Sequence, residues 1–477
     1  MLNILELMED SMYNFLYEDD LDNAIRKFER MKKDNENYFF DVFEFEGIID
    51  YYIESNNSSR AFEAALLASE QHPNSVSLQI RKARVLLDKG RAVEALRILK
   101  TLENIEPGNH EIYVAKGTAM AMLGDIQGAK KMFDFALSLD SDDTVIILYS
   151  ITSVLQNLNY YEYLIPYMKR LVELESDDDD HLYDLAYAYE KIEDYDNSIS
   201  LYLKYLELEP FSDSAWYNLA IIYNRREEYD KAIEAYDYAL AINSQNTFAL
   251  FNKGNILCLQ DKYEEAIPVY LEYLENEPDN YEAMNNLSEC YTRTGNLVLA
   301  RKYLNDTLEL APDSPYPWYG LGVISLSSGN PDESIIYLRK AVRLDDEDPE
   351  IWYMLGKAHY ARKEIKDTIR CYCEALKLEA YFTLIWIELG KIILNDGLVP
   401  RALPFFEKAY KKLGDVPGIN YLLASFYLHI GHAENAFRHL SLALDADDEI
   451  FEYFYEIFPE RLFTRKIKKL LQEYNLR

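Results

Sequence analysis

The side chains in this sequence that are best placed to act together are asparagines with aromatic neighbours. Asn218, Asn252 and Asn286 are each 34 residues apart. An asparagine amide offers both a donor and an acceptor, which matches a peptide group whatever side chain that peptide carries. Tyr217 and Phe251, the residues just before two of these amides, add aromatic contact area at a low entropic cost. The spacing therefore favours recognition of a polypeptide.

Motifs for catalysis are missing from the sequence, since it contains no GxxxxGK[ST], HExxH or GxSxG. His429, His432 and His439 lie close together in the chain, but no acid or cysteine at a matching spacing completes a metal-ligand set. The cysteines are too few and too irregular for a disulfide framework, and they are Cys258, Cys290, Cys371 and Cys373. We therefore expect no enzyme, no cofactor and no metal site.

The charge of the chain restricts its partners. Lys+Arg number 49 and Asp+Glu number 83, so the formal net charge is −34. Such a chain repels nucleic-acid phosphates and anionic membrane surfaces over most of its area, whereas a basic partner is allowed. We expect a protein or peptide partner, for which a basic segment is allowed, and neither nucleic acid nor membrane.

Composition and the N-terminal sequence give the class and the location that we expect. Hydrophobic residues make up 49% of the chain, with only 17 Gly and 15 Pro, which allows a sizeable core but provides little material for many-turned β-folds. No run of 18 apolar residues occurs, so no membrane span is expected. The N-terminal stretch lacks a basic region and is interrupted by Glu6 and Glu9, so we expect no signal peptide and a cytoplasmic protein.

The sequence repeats itself with a period of 34 residues. The tryptophans Trp216, Trp318, Trp352 and Trp386 are separated by 102, 34 and 34 residues, and prolines and alanines follow the same period. Within residues 215–248, apolar residues recur at three- and four-residue steps on either side of a polar break. This pattern predicts two helices per unit, and a fixed period of this length predicts a solenoid.

The units resemble tetratricopeptide repeats. The Trp-x-x-Leu-Gly pattern is complete at Trp318-Leu321-Gly322, Trp352-Leu355-Gly356 and Trp386-Leu389-Gly390. The Ala-aromatic-Ala pattern of the second helix is complete at Ala232-Tyr236-Ala239 and Ala402-Phe406-Ala409. The resemblance implies an all-α fold, a right-handed superhelical α-solenoid of antiparallel helix pairs.

Twelve units can be laid end to end from about residue 42 to 452. We predict an N-terminal cap or degenerate repeat over 1–41, carried by Ala24 and Phe28, three repeats over 42–144, a degenerate repeat over 145–178, eight repeats over 179–452, and a capping helix over 453–477. The unit 145–178 has Thr152 and Leu164 where small residues are expected, which predicts a looser joint there. The C-terminal segment is basic, which favours a cap resting on acidic neighbours and leaves a small anion-binding patch or a docking helix as the alternative.

In tetratricopeptide repeats the first helices line the inside of the superhelix, and the resemblance therefore implies a binding groove there. An asparagine ladder of this kind is similar to the one inside O-linked N-acetylglucosamine transferase superhelices. The residues that we expect to contact a partner in this groove are Tyr183, Tyr217, Asn218, Phe251, Asn252, Asn255, Asn285, Asn286, Tyr319 and Tyr353. The carboxylates expected to make the groove acidic, and so to favour a basic segment, are Asp184, Glu190, Glu282, Glu289 and Glu350.

The resemblance does not extend to the co-chaperones that clamp a C-terminal carboxylate. Asn255 and Asn286 occupy the two asparagine positions of that clamp, but Phe251, Tyr316 and Gly320 stand where its basic residues belong. Without the cations the clamp has no charge partner. The leading hypothesis is a non-enzymatic scaffold that binds an extended or helical segment in its groove, and the alternative is an assembly subunit that acts through its convex face, its edges or self-association.

Overall fold

The structure is a computed structural model that describes residues 21–31, 33, 37–139, 143–175, 179–458, 462–474 and 476. All regular secondary structure in these residues is helical, and successive helices pack in pairs joined by short turns. The predicted all-α fold of antiparallel helix pairs is therefore confirmed. The chain forms two compact units, Met1–Ile242 and Asn243–Arg477, each of which is described by itself.

The first unit contains a helical segment over residues 21–31 (α1), followed by six helix pairs. The pairs are α2 (Val42–Glu54) with α3 (Ser58–Gln71), α4 (Val76–Asp88) with α5 (Ala92–Ile105), α6 (His110–Met122) with α7 (Ile126–Ser138), α8 (Thr144–Asn157) with α9 (Tyr161–Leu174), α10 (Asp180–Lys191) with α11 (Tyr195–Leu208), and α12 (Asp213–Arg225) with α13 (Tyr229–Ile242).

The second unit contains six further pairs and a C-terminal segment. The pairs are α14 (Thr247–Leu259) with α15 (Tyr263–Asn276), α16 (Tyr281–Arg293) with α17 (Leu297–Leu310), α18 (Pro315–Ser327) with α19 (Pro331–Leu344), α20 (Pro349–Ala361) with α21 (Ile365–Leu378), α22 (Thr383–Asn395) with α23 (Val399–Leu413), and α24 (Pro417–His429) with α25 (Ala433–Ala446). The segment consists of α26 (Phe451–Phe454), a 3₁₀ turn (Tyr455–Ile457) and α27 (Arg465–Glu473).

The turn inside each pair contains one residue in the left-handed backbone region. That conformation reverses the chain after the first helix, and glycine, asparagine and aspartate tolerate it best. The positions are Asn56, Gly90, Gly124, Asn159, Glu193, Glu227, Asp261, Gly295, Gly329, Lys363, Gly397 and Gly431. Their spacing is 34 residues everywhere except for the step of 35 between Gly124 and Asn159.

The recurring tryptophan closes the turn that precedes its own helix. In all four cases the indole Nε1–H donates to the backbone oxygen six residues earlier, at 2.9–3.2 Å: Trp216 to Pro210, Trp318 to Pro312, Trp352 to Asp346 and Trp386 to Ala380. The bond satisfies a polar group between repeats while the ring fills the space beside it.

Small residues mark the places where the two helices of a pair cross. A Cβ atom at Gly356 would lie 2.4 Å from the ring of Tyr372, and one at Gly322 would lie 2.5 Å from Leu338 Cγ. Both distances are shorter than any ordinary carbon contact. Glycine is therefore required at these crossings by close approach of the second helix.

The degenerate repeat over 145–178 is built on the pair α8 and α9. The Thr152 hydroxyl donates to Leu148 O at 3.0 Å, which satisfies it inside the core. Leu164 is buried where a small residue stands in other repeats, and Pro166 lies inside α9. Residues 176–178 lie outside the described part of the chain. The looser joint stays a prediction.

Both predicted ends contain buried apolar residues. At the N-terminal end, Ala24 and Phe28 are buried, whereas residues 1–20, 32 and 34–36 of the predicted cap lie outside the described residues. At the C-terminal end, α27 packs against α25 and buries Ile467 and Leu471. Lys466 Nζ on the exposed side of α27 lies 3.0 Å from Glu434 Oε2, so part of its basic face meets an acidic neighbour.

Candidate functional site

In the first unit, Asn218 connects the helices of two consecutive repeats. Its Nδ2 donates to the Tyr183 hydroxyl at 2.9 Å and to the Tyr202 hydroxyl at 3.1 Å. These partners belong to α10 and α11, and Asn218 belongs to α12. Tyr202 is fully buried, and burial raises its pKa and that of Tyr183. Tyr217, the other predicted contact, is half-buried with its ring 5.9 Å from that of Tyr236.

The second unit repeats this arrangement around Tyr270. The Tyr270 hydroxyl donates to Asn255 Oδ1 at 2.6 Å, and Asn286 Nδ2 donates to the same oxygen at 3.1 Å. Asn286 Nδ2 also lies 3.4 Å from the Tyr270 hydroxyl. Phe251 packs on the rings of Tyr270 and Tyr273, with centroid distances of 6.3 and 5.4 Å. Asn255 lies on α14, Tyr270 on α15 and Asn286 on α16, so these hydrogen bonds connect three helices.

The amide donors of Asn218 and Asn286 are thus engaged within the protein. Each connects the first helix of one repeat to a buried tyrosine of the repeat before it. A peptide alongside these helices would find their Oδ1 atoms, for which the described residues provide no hydrogen-bond partner. Asn252 is half-buried at the corresponding position of α14.

An open cavity of about 480 Å³ lies in the second unit, against the first helices of three consecutive repeats. Its volume falls in the range of ligand and side-chain pockets. Its lining residues are Asn285, Ser288, Glu289, Thr292 and Arg293 of α16, Leu304 of α17, Tyr316, Tyr319, Gly320 and Val323 of α18, Asp348 just before α20, and Glu350, Ile351 and Met354 of α20.

The cavity lining combines apolar side chains with carboxylates. Three carboxylates line it, Glu289, Asp348 and Glu350, against the single guanidinium of Arg293. Arg293 Nη2 is 3.3 Å from Glu289 Oε1, so that cation is already paired. The Tyr319 hydroxyl lies 3.5 Å from Glu350 Oε2, and burial together with the charge of Glu350 raises the pKa of Tyr319. The lining therefore keeps a net negative charge and favours a cationic group.

The ten predicted contact residues lie in different parts of the structure. Asn285 and Tyr319 line the cavity, as do Glu289 and Glu350 from the predicted acidic set. Tyr353 instead packs between other aromatic rings, 5.7 Å from that of Tyr372 and 5.1 Å from that of Phe382. The remaining contacts form the clusters described above or stand half-buried beside them.

Most of the cavity lining was outside the predicted set. On α16 the lining follows the steps Asn285, Ser288, Glu289 and Thr292, which form one face of a helix. The predicted contacts come mostly from the columns next to the tryptophan position, and beyond Asn286 the prediction on α16 includes only Glu289. Extending each column by one helical turn toward the C-terminal end would have included these residues.

A second cluster has the spacing of a metal site. His359, Glu364 and Asp367 offer ligand atoms that lie within 4.8 Å of one another. His359 Nδ1 is 2.6 Å from Glu364 Oε2, and Arg362 Nη2 is 3.3 Å from Glu364 Oε1. The hydrogen bond and the ion pair connect α20 to the start of α21, so the cluster stabilises the turn between these helices.

Among the described helices, none is both long and apolar enough to span a membrane.

Comparison with known families decides what the repeated unit is. A family model described as tetratricopeptide repeat matches residues 166–247 and 251–315, and another with the same description matches residues 316–348. The chain is a tetratricopeptide repeat protein. The helix pairs on either side of the matched residues have the same length and the same left-handed turn. Tetratricopeptide repeat proteins generally serve as scaffolds that bind protein or peptide partners.

Solved structures give distant matches to this tetratricopeptide repeat protein, and a search of curated proteins found no sequence match. PilW, described as a type IV pilus biogenesis factor, is 21% identical over 43% of this chain and 96% of its own, with a TM-score of 0.37. YrrB, described as having an unusual peptide-binding site, is 19% identical over 39% and 95%, with a TM-score of 0.32. The Cut9–Hcn1 assembly of APC/C is 14% identical over 89% and 97%, with a TM-score of 0.36. Similarity at this level transfers no partner or activity.

Proposed function

We propose that this protein is a scaffold that holds a segment of a partner protein against the first helices of its repeats, without a catalytic step. The observation that carries the proposal is the open cavity between α16, α18 and α20. A cavity lined by three consecutive first helices provides one continuous surface, and its volume accommodates a large side chain together with the adjoining backbone.

The chemistry of the lining supports a basic segment as the ligand. Leu304, Val323, Ile351 and Met354 provide apolar surface for an aliphatic stem, while Glu289 and Glu350 are exposed to solvent. Lysine and arginine side chains have this division into an apolar stem and a charged end. Because Glu289 and Glu350 are exposed to solvent, we expect them to add selectivity and a salt-sensitive association rate more than raw affinity.

Two of the predicted contacts have clear roles in this proposal. Asn285 is half-buried in the lining and can pair with a backbone amide of the ligand, because its side chain carries both a donor and an acceptor. Tyr319 also lines the cavity, and an aromatic face attracts a cation by about 0.5–1 kcal/mol at an exposed site.

The test uses a phage-displayed library of random peptides selected on the immobilised protein. We expect enriched sequences to share lysine or arginine at a fixed place, and we expect the doubly substituted variant Glu289→Gln and Glu350→Gln to bind them severalfold more weakly at low salt, mainly because association slows. The matched control carries Glu272→Gln and Glu275→Gln on α15, which change the net charge equally outside the cavity. Enrichment that is lost equally in both variants would show a general charge effect and would overturn the assignment to the cavity.

A further inference from the structure

Two cysteines of consecutive repeats meet in the second unit. Cys258 Sγ on α14 lies 3.3 Å from Cys290 Sγ on α16, and both are free thiols. A disulfide bond is about 2.05 Å long, so the two sulfur atoms would need to approach by only about 1.2 Å more. Cys290 is fully buried and Cys258 is half-buried, so Cys258 is the more accessible residue of the pair.

We propose that Cys258 and Cys290 are a modification site at which a peroxide forms a reversible disulfide between consecutive repeats. The Cys258 sulfur attacks one peroxide oxygen, the O–O bond breaks, and the products are a sulfenic acid at Cys258 and one water or alcohol. The Cys290 sulfur then attacks the sulfenic sulfur, the S–O bond breaks, and the hydroxyl leaves as water with the Cys290 proton. Two electrons pass from the two thiols to the peroxide, and a dithiol reductant reverses the step.

The surroundings make Cys258 the first of the two to react. The hydrogen bond from the Cys290 thiol lowers the pKa of Cys258. A thiolate is the form of cysteine that attacks a peroxide. By contrast, burial raises the pKa of Cys371 to about 11 and also raises the pKa of Cys373. These two cysteines therefore serve as internal controls.

The position of the pair gives the bond a structural consequence. Tyr270, which contacts the Cys258 sulfur, also holds Asn255 and Asn286 in the cluster between α14 and α16. A disulfide at this place would lock together the same two first helices that the hydrogen bonds connect. The proposal is independent of the function proposed for the cavity, because it needs only the two sulfurs and an oxidant.

The experiment treats the folded, full-length protein with equimolar hydrogen peroxide and counts free thiols after denaturation. We expect the count to fall from four to two, with a loss of two hydrogen masses from the intact chain and a peptide map that links Cys258 to Cys290. Dithiothreitol should restore all four thiols. A variant with Cys371→Ser and Cys373→Ser should still lose two thiols.

The variants Cys258→Ser and Cys290→Ser should each form no internal disulfide under the same treatment. Should either variant fail to fold, the peptide map of the wild-type protein decides the question alone. The proposal is overturned if the wild-type protein keeps four thiols, if its disulfide links another pair or another molecule, or if Cys258 advances to a sulfinic acid without forming the bond.

Discussion

Replacing Asn218 by alanine is expected to destabilise the first unit even when no partner is present. In the described residues the buried Tyr202 hydroxyl takes its hydrogen bond from Asn218 Nδ2. Asn218→Ala leaves that hydroxyl buried and unsatisfied, which costs about 1–3 kcal/mol. The half-buried Tyr183 hydroxyl, the other partner of Asn218, can turn to water and adds little to this cost.

A double-mutant cycle separates this hydrogen bond from other effects of the substitution. Tyr202→Phe removes the hydroxyl, so adding Asn218→Ala to it no longer leaves a buried polar group unsatisfied. We therefore expect the double variant to lose about 1 kcal/mol less than the sum of the two single losses. Asn104→Ala on the exposed side of α5 is the matched control and should change stability by less than about 0.5 kcal/mol.

Hydrogen exchange of peptides from α11 and α12 is the assay of choice. A repeat array does not unfold in a strict two-state manner, and local opening free energies report on the affected repeat directly. The reasoning is refuted if Asn218→Ala exchanges as slowly as the wild-type protein, or if the two substitutions are additive within about 0.3 kcal/mol. Asn218 would then be free to serve a ligand.

Further predictions concern the packing, the pH dependence and the dithiol. Gly356→Ala should lower stability by up to about 2 kcal/mol in urea unfolding, because overpacking costs about 1–3 kcal/mol and the gain in helix propensity offsets about 1 kcal/mol of it. Gly108→Ala, which meets open space, should cause no such loss. Burial lowers the pKa of His439 in the folded protein, so the unfolded chain binds the His439 proton more readily. Stability should therefore fall as the pH drops through about 6.5. In unfolding curves recorded across this pH range, His439→Gln should reduce the loss. Oxidation of Cys258 and Cys290 closes a loop of about 33 residues and should raise the free energy of unfolding of the second unit by about 3–4 kcal/mol. Unfolding curves recorded with and without dithiothreitol measure this difference.

The helix pairs could be predicted from the sequence because their period is imposed by packing. Each pair needs a small residue where its two helices cross and a residue with a left-handed backbone conformation in its turn. Both kinds of residue therefore recur once per repeat. The one irregular step, 35 residues between Gly124 and Asn159, keeps the same left-handed turn. Periodicity of this kind requires no knowledge of distant contacts.

The orientation of the asparagines could not be predicted in the same way. An amide at the position of Asn286 can face a groove or the neighbouring repeat, and both choices satisfy it. The choice depends on the hydroxyl of Tyr270, which lies on another helix 16 residues earlier. The cavity likewise depends on how residues of α16, α18 and α20 come together. These features arise from packing between repeats. The residue types found at one position of successive repeats do not determine that packing.

The central claim is that a partner lies against the first helices, and photocrosslinking tests it most directly. The photoreactive p-benzoylphenylalanine replaces either Tyr316, which is exposed in the cavity lining, or Val298, which is exposed on the second helix α17. Irradiation of each protein in its native cells should yield a crosslinked partner from position 316 and far less from position 298. Crosslinks that form mainly from position 298 would contradict the claim and would favour an assembly subunit that acts through its outer surface.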